Sequence, residues 1–264
     1  MRRRIAVAAT LATLAVAPAA QAWVPDVPAA RAYAMQRGGD VSFAVRTQSR
    51  LYGFRGRRSV PSASVAKAML MVAYLNHRTV RGRRLRVTER KLLAAMIRWS
   101  NNRAASRVRN FVGNSALAAL ARRTGMRRFR TAPSWGSCVV DAVDQTRLFL
   151  KIDRYVVPRH RSFAMRLLNR VVPSQRWGIA RAAPAEWELY FKGGWGDGDG
   201  EVDHQVALLR RSGHRVAVAI MTTANPSHAY GKATLRGVSR RLLRGLEPQV
   251  LGTASPAQGS VEPL

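Results

Sequence analysis

Apolar and polar positions change rhythm along this chain, and the changes mark out its elements. Val41, Phe43 and Val45 alternate with smaller or polar neighbours, which predicts a strand over 41–47 and a return strand over 50–55, with Gln48-Ser49 at the turn. A lead-in helix from about Pro28 to Gly38-Gly39 precedes them. From Ala66 the chain is apolar into Met71-Val72-Ala73-Tyr74-Leu75, a helix that Ser62 or Ser64 could cap. Thr88 is expected to cap a helix whose apolar face begins near Lys91 and runs to Ile97. Two further helices follow, 103–112 and 115–124, the second stopped by Gly125. Asp141 caps a helix that runs to Leu150, with Asp144 in its first turn, and 159–170 forms another.

The rhythm then returns to strands. These are 187–192, a glycine-rich turn at 193–200, 202–210, a tight Ser212-Gly213 turn and 216–221. The last is apolar almost throughout, the pattern of a strand buried on both faces. A helix over 229–244 closes the domain. Strands at both ends with helices between predict an α+β fold, in which one antiparallel sheet drawn from both termini carries an inserted helical lobe.

Composition adds compartment and charge. Residues 1–22 read as a secretory signal: Arg2-Arg3-Arg4, an apolar stretch, then Ala20-Gln21-Ala22 before Trp23. The expected layout is therefore a signal at 1–22, a domain at 23–245 and a flexible, polar tail at 246–264, in an extracytoplasmic protein with no membrane span once the signal is removed. Cys138 is the only cysteine, which excludes a disulfide framework and a cysteine metal cluster. His160, His204, His214 and His228 lack metal-ligand spacing, and the Asp197–Glu201 stretch reads as a hairpin turn, not a calcium loop. Neither metal nor cofactor is expected. The formal net charge of +31 attracts polyanions. A plain compositional bias toward arginine is the favoured explanation of that charge; with no nucleic-acid module in view, an anionic cell-wall polymer is the candidate partner ahead of nucleic acid.

Among so many arginines there are only five lysines, at 67, 91, 151, 192 and 232, so a lysine in a polar motif stands out. Ser64 lies three residues before Lys67, on the same face of a starting helix. A serine hydroxyl needs a neighbouring base to become a nucleophile, and a lysine serves only when its pKa is lowered. Taken alone, the pair reads better as a capping serine and a solvent-seeking lysine. Two more polar clusters interrupt apolar elements: Ser100-Asn101-Asn102 between two helices, and Lys192-Gly193-Gly194 at the end of a strand.

Ser-x-x-Lys, Ser-x-Asn and Lys-x-Gly in this order resemble the motif set of the penicillin-recognising serine hydrolases, the class A β-lactamases and D-alanyl-D-alanine peptidases. The resemblance spans roughly 41–244 and implies a five-stranded antiparallel sheet flanked by helices, with an all-helical lobe. It also implies roles. Ser64 is acylated, Lys67 takes its proton, and Ser100 relays a proton to the leaving nitrogen. Asn102 holds Lys67 and the substrate amide. Lys192 supports Ser100 and draws the substrate carboxylate. Gly193, Gly194 and Trp195 bind substrate, and the N–H groups of Ser64 and Trp195 form an oxyanion hole.

Three departures qualify the resemblance. Asn101 stands where class A proteins often have Asp, at a position that points away from the chemistry. Gly193 replaces a Thr or Ser whose hydroxyl binds the substrate carboxylate. No Glu or Asp occurs in 127–140, where class A enzymes carry the carboxylate that activates the deacylating water. The expected activity is acyl-enzyme formation with β-lactams or peptidoglycan-peptide substrates, and slow release. The alternative is a catalytically impaired cell-wall binder. Trp195 is read as a substrate wall, Trp177 as core, and His204 as a packed strand residue.

Overall fold

The computed structural model describes residues 23–196 and 201–246; the expected signal, most of the Asp197–Glu201 turn and the tail beyond Leu246 lie outside the described residues. The chain opens with α1 (Val27–Met35), capped by Asp26, and then pairs β1 (Asp40–Arg46) with β2 (Leu51–Phe54). After the short β3 (Val60–Pro61), a single 3-10 turn, Ala63–Val65, leads into α2 (Ala66–Asn76). Next come α3 (Val87–Arg98), α4 (Asn102–Thr124), β4 (Val139–Val140), α5 (Ala142–Leu150), α6 (Ile152–Tyr155) and α7 (Pro158–Asn169). The chain closes with β5 (Glu188–Gly196), β6 (Glu201–Arg211), β7 (His214–Asn225) and α8 (His228–Leu242).

The sheet order is β2-β1-β7-β6-β5, all antiparallel, so both ends of the chain build one five-stranded sheet around the inserted helices, as expected. The alternation along β1 and β7 explains the layering. Val41, Phe43, Val45, Val216, Val218 and Ile220 pack toward α1 and α8, while Ala44, Ala217, Ala219 and Met221 face the helical lobe. β7 is thus buried on both faces, as its composition predicted. α2 is apolar all round because it runs through the middle of the lobe, with every residue from Ala66 to Leu75 buried. At the seam of the chain ends, Trp23 Nε1 donates to Arg244 O at 3.0 Å. Leu246, assigned to the tail on composition, is buried in the same core.

Four sequence expectations are corrected. Neither Ser62 nor Ser64 caps α2; Ser62 Oγ instead donates to Trp135 O at 3.0 Å. Thr88 does not cap α3. That helix begins two residues earlier because Glu89 reaches back to Arg86 N (2.7 Å) and is itself held by Arg83 Nη2 (2.6 Å). The helices expected at 103–112 and 115–124 run on as α4, bent at Gly113, whose φ of 74° suits glycine. The glycines at 193–196 do not turn; they extend β5 and pair with Val202–Gln205 of β6.

One buried ion pair ties sheet to lobe. Arg215 on β7 donates to Asp153 at 2.5 and 3.2 Å and to Leu150 O at 2.7 Å. Asp153→Ala strands that guanidinium in the interior, at a cost of about 3–5 kcal/mol. Calorimetry should record a Tm lower by roughly 6–20 °C; an unchanged Tm means that the pair does not hold sheet and lobe together.

Candidate active site

The three polar motifs meet where α2, the α3–α4 bend and β5 converge. Ser64 sits in the 3-10 turn before α2, and its predecessor Ala63 has a φ of 43°, a left-handed conformation that a non-glycine residue adopts at some cost. Ser100 has the same strain, with a φ of 56°. It lies in the bend before α4, which Asn101 caps by accepting from Ala104 N at 2.8 Å. Asn101 therefore shapes the bend and leaves the chemistry to its neighbours.

Lys67 is fully buried. Its Nζ lies 2.7 Å from Ser64 Oγ, 2.7 Å from Asn102 Oδ1, 2.5 Å from Ser100 O and 3.1 Å from Ser100 Oγ. Two of these neighbours, the Ser100 carbonyl and the Asn102 amide oxygen, can only accept. A neutral amine satisfies both with its two N–H groups and leaves its lone pair for the Ser64 hydroxyl. Burial, uncompensated by any nearby carboxylate, lowers the Lys67 pKa from 10.5 to about 7. The pair can thus act as nucleophile and base at neutral pH.

Lys192 is fully buried on β5, and Nζ donates to Ser100 Oγ at 3.0 Å and to Gly193 O at 2.6 Å. Its pKa falls well below the usual lysine value, first through burial and then through the charge of Lys67. Ser100 Oγ therefore bridges two amines and can pass a proton between the lysine side and a leaving group. Gly194 lets β5 approach the nucleophile turn: a Cβ there would lie 2.8 Å from Ser64 N and 2.9 Å from Val65 N. This closeness brings β5 against the nucleophile turn at one cleft of about 580 Å³, lined by Ser64, Asn102, Trp135 and Trp195 among others. Gly193 points elsewhere, with the Trp177 ring 3.5 Å from where its Cβ would be.

Trp177 is not core. It is half-buried, edge-on to Trp195 (centroids 5.8 Å apart), and both indoles border His228, which is fixed by the buried Asp203 at 2.5 Å. His204 is a packed strand residue, as read. Its Nδ1 accepts from Thr222 N, its Nε2 donates to Pro61 O at 2.9 Å, and burial lowers its pKa to about 4. It anchors the segment leading to Ser64.

The carboxylates nearest in sequence to the expected deacylating position are structural. Asp141 Oδ1 accepts from Asp144 N at 2.6 Å, and Asp144 Oδ2 accepts from Arg127 N and Arg128 N, both at 2.7 Å. Among the described residues, the one carboxylate lining the cleft is Asp40, paired with Arg58. Near Lys67 stands Trp135 instead, its ring centroid 4.5 Å from Nζ and its Nε1 donating to Ser106 Oγ at 3.2 Å. Sequence reasoning passed over Trp135; its signal was a lone indole before Gly136-Ser137 in a polar loop.

A model of the beta-lactamase enzyme family matches residues 78–246, which include Ser100, Asn102 and Lys192 but begin after Lys67. Solved structures share the fold. The chain is 18% identical to a beta-lactamase from Sphaerobacter thermophilus, with 84% of this chain and 97% of that one covered at a TM-score of 0.71. A class A beta-lactamase from Mycobacterium abscessus gives 18% identity, 84% and 99% coverage and a TM-score of 0.71. An ancestral class A beta-lactamase gives 22%, 81% and 96%, and 0.66. No curated protein matches the chain.

Proposed function

The chain belongs to the beta-lactamase enzyme family, and from that premise we propose that it is an exported serine hydrolase that acylates itself on Ser64 with β-lactams or D-alanyl-D-alanine-like amides and releases the acyl group slowly. The observation that carries this reading is the Lys67 amine, its pKa brought down to about 7 by burial and its Nζ set 2.7 Å from Ser64 Oγ. Ser64 attacks the carbonyl as Lys67 takes its proton. The backbone N–H groups of Ser64 and Trp195 stabilise the developing oxyanion. Ser100, supported by Lys192, delivers a proton to the leaving nitrogen.

Release needs an activated water. The class A arrangement uses a carboxylate for that step, and Trp135 occupies the space beside Lys67 here, leaving Lys67 itself as the available base. Intact-protein mass spectrometry after exposure to benzylpenicillin should therefore record one adduct per chain that persists after free drug is removed, and none on Ser64→Ala. Nitrocefin turnover at or above the ~10 s⁻¹ of a median enzyme overturns slow release. Failure to label wild-type protein overturns the acylation reading and favours a cleft that only binds. Signal removal on export is part of the same proposal; mature protein beginning at Trp23 supports it.

A further inference from the structure

On the outer side of the helical lobe, far along the chain from Ser64, α3 and α7 enclose a groove made of two adjoining cavities of about 580 and 300 Å³ that share Arg90 and Phe163. The first cavity is bounded by the start of both helices and the second by their later turns, so the helices run in the same direction along it. Its floor is apolar, with Leu85, Ala94, Phe163 and Leu167. Its rim is cationic, with Arg84, Arg90, Arg98, Arg159, Arg166 and Arg170. None of these six forms an ion pair with a carboxylate among the described residues. Most arginines of the described residues are likewise without an acid, as the charge balance requires, so what marks the groove is the crowding of six along one apolar cleft. The groove thus concentrates charge that the protein leaves uncompensated.

We propose that this groove binds a linear polymer of phosphodiesters, of the polyol phosphate type found in cell walls, laid lengthwise between α3 and α7. Guanidinium groups match phosphate oxygens in a two-point fork, which a carboxylate-free rim of arginines is built to offer. Arg166 lies in the last turn of α7 and Arg170 is the residue that caps it, so the rim carries cations at successive points along the groove. The carbon backbone between phosphates then lies on the apolar floor. Other anions fit less well. A bilayer surface is too flat to reach a floor recessed between arginines. A duplex nucleic acid is broader than the roughly 8–10 Å between packed helices. Single-stranded bases need an open aromatic face, and the Arg90 guanidinium already covers Phe163 at 5.3 Å. This role rests on the function proposed above: a polymer held in the groove would keep the enzyme on a wall that carries its substrate.

The test compares two full-length variants of equal charge in a Ser64→Ala background, so that polymer binding is read independently of acylation. One carries Arg90→Gln, Arg159→Gln, Arg166→Gln and Arg170→Gln. The other carries Arg107→Gln, Arg122→Gln, Arg236→Gln and Arg240→Gln on exposed faces of α4 and α8. All eight side chains are exposed, and glutamine keeps helix propensity. Fluorescence anisotropy with labelled poly(glycerol phosphate) at 150 mM salt should show affinity lost at least tenfold in the groove variant and less than threefold in the other. Matching circular dichroism of both variants establishes that the loss is not unfolding. Equal losses in the two variants overturn the proposal, because binding then follows net charge alone. Tighter binding to poly-L-glutamate, poly(U) or phosphatidylglycerol vesicles than to poly(glycerol phosphate) overturns the assignment of the partner.

Discussion

Replacing Lys67 with methionine lowers the rate of β-lactam acylation of Ser64 by about 10²- to 10⁴-fold, the range in which a general base contributes. Methionine preserves the buried volume and removes the amine that faces Ser64 Oγ at 2.7 Å. The Ser100 carbonyl and Asn102 Oδ1 then lose a donor, which costs about 1–3 kcal/mol of stability and is visible as a separate drop in Tm. The wild-type protein supplies the companion measurement. Lys67 works as a base only when unprotonated, and burial brings its pKa down to about 7. The acylation rate should therefore rise with pH through about 7 and level off above it, and fall away as pH drops below it. Stopped-flow acylation that is flat down to acidic pH, or a Lys67→Met protein that acylates at the wild-type rate, removes Lys67 from the mechanism.

Gly194→Ala should be nearly as damaging, without touching a reacting group. The new Cβ would sit 2.8 Å from Ser64 N, 2.9 Å from Val65 N and 3.2 Å from the Ala63 Cβ. The first two are backbone atoms and cannot swing aside, so β5 and the nucleophile turn must part. That displaces the Ser64 and Trp195 N–H groups from the carbonyl they are to receive. One lost oxyanion donor costs about 10²–10³ in rate, and a displacement near 1 Å has a comparable effect. Gly194→Val should abolish labelling by fluorescent penicillin altogether. Gly196→Ala, two residues on in the same strand, meets nothing within 4 Å and should label at close to the wild-type rate. Equal labelling of Gly194→Ala and Gly196→Ala would mean that the contact between β5 and Ser64 has no catalytic value.

Much of the fold was legible because burial writes itself into period and composition. The unbroken apolar run at 68–75 marks a helix inside the lobe, and the apolar strand at 216–221 marks a central one. The site was legible as well, since three short motifs each fell on the right kind of element, and Lys67 and Lys192 stood out against arginine. What failed depended on partners distant in sequence or on a conflict between propensity and packing. Ser62 reads as a cap, yet its hydroxyl is taken by carbonyls at 135 and 136. Thr88 lost its capping place to a Glu89–Arg83 clamp. Gly193 to Gly196 read as a turn by composition, but close approach to Ser64 and pairing with β6 require a strand of glycines. Trp177 read as core and does pack against its edge, but its indole also meets Trp195 and His228, partners that no local pattern announces.

The pairing of β1 with β7 reaches further than architecture. The strand at Asp40–Arg46 has no inner neighbour until His214–Asn225 has been made, and Lys192 lies on a strand that itself waits for Glu201–Arg211. A chain still leaving the ribosome therefore holds Ser64 and Lys67 without the edge that completes their pocket. The pocket is therefore complete only once the last third of the chain has folded and brought Lys192 against Ser100, wherever that folding takes place.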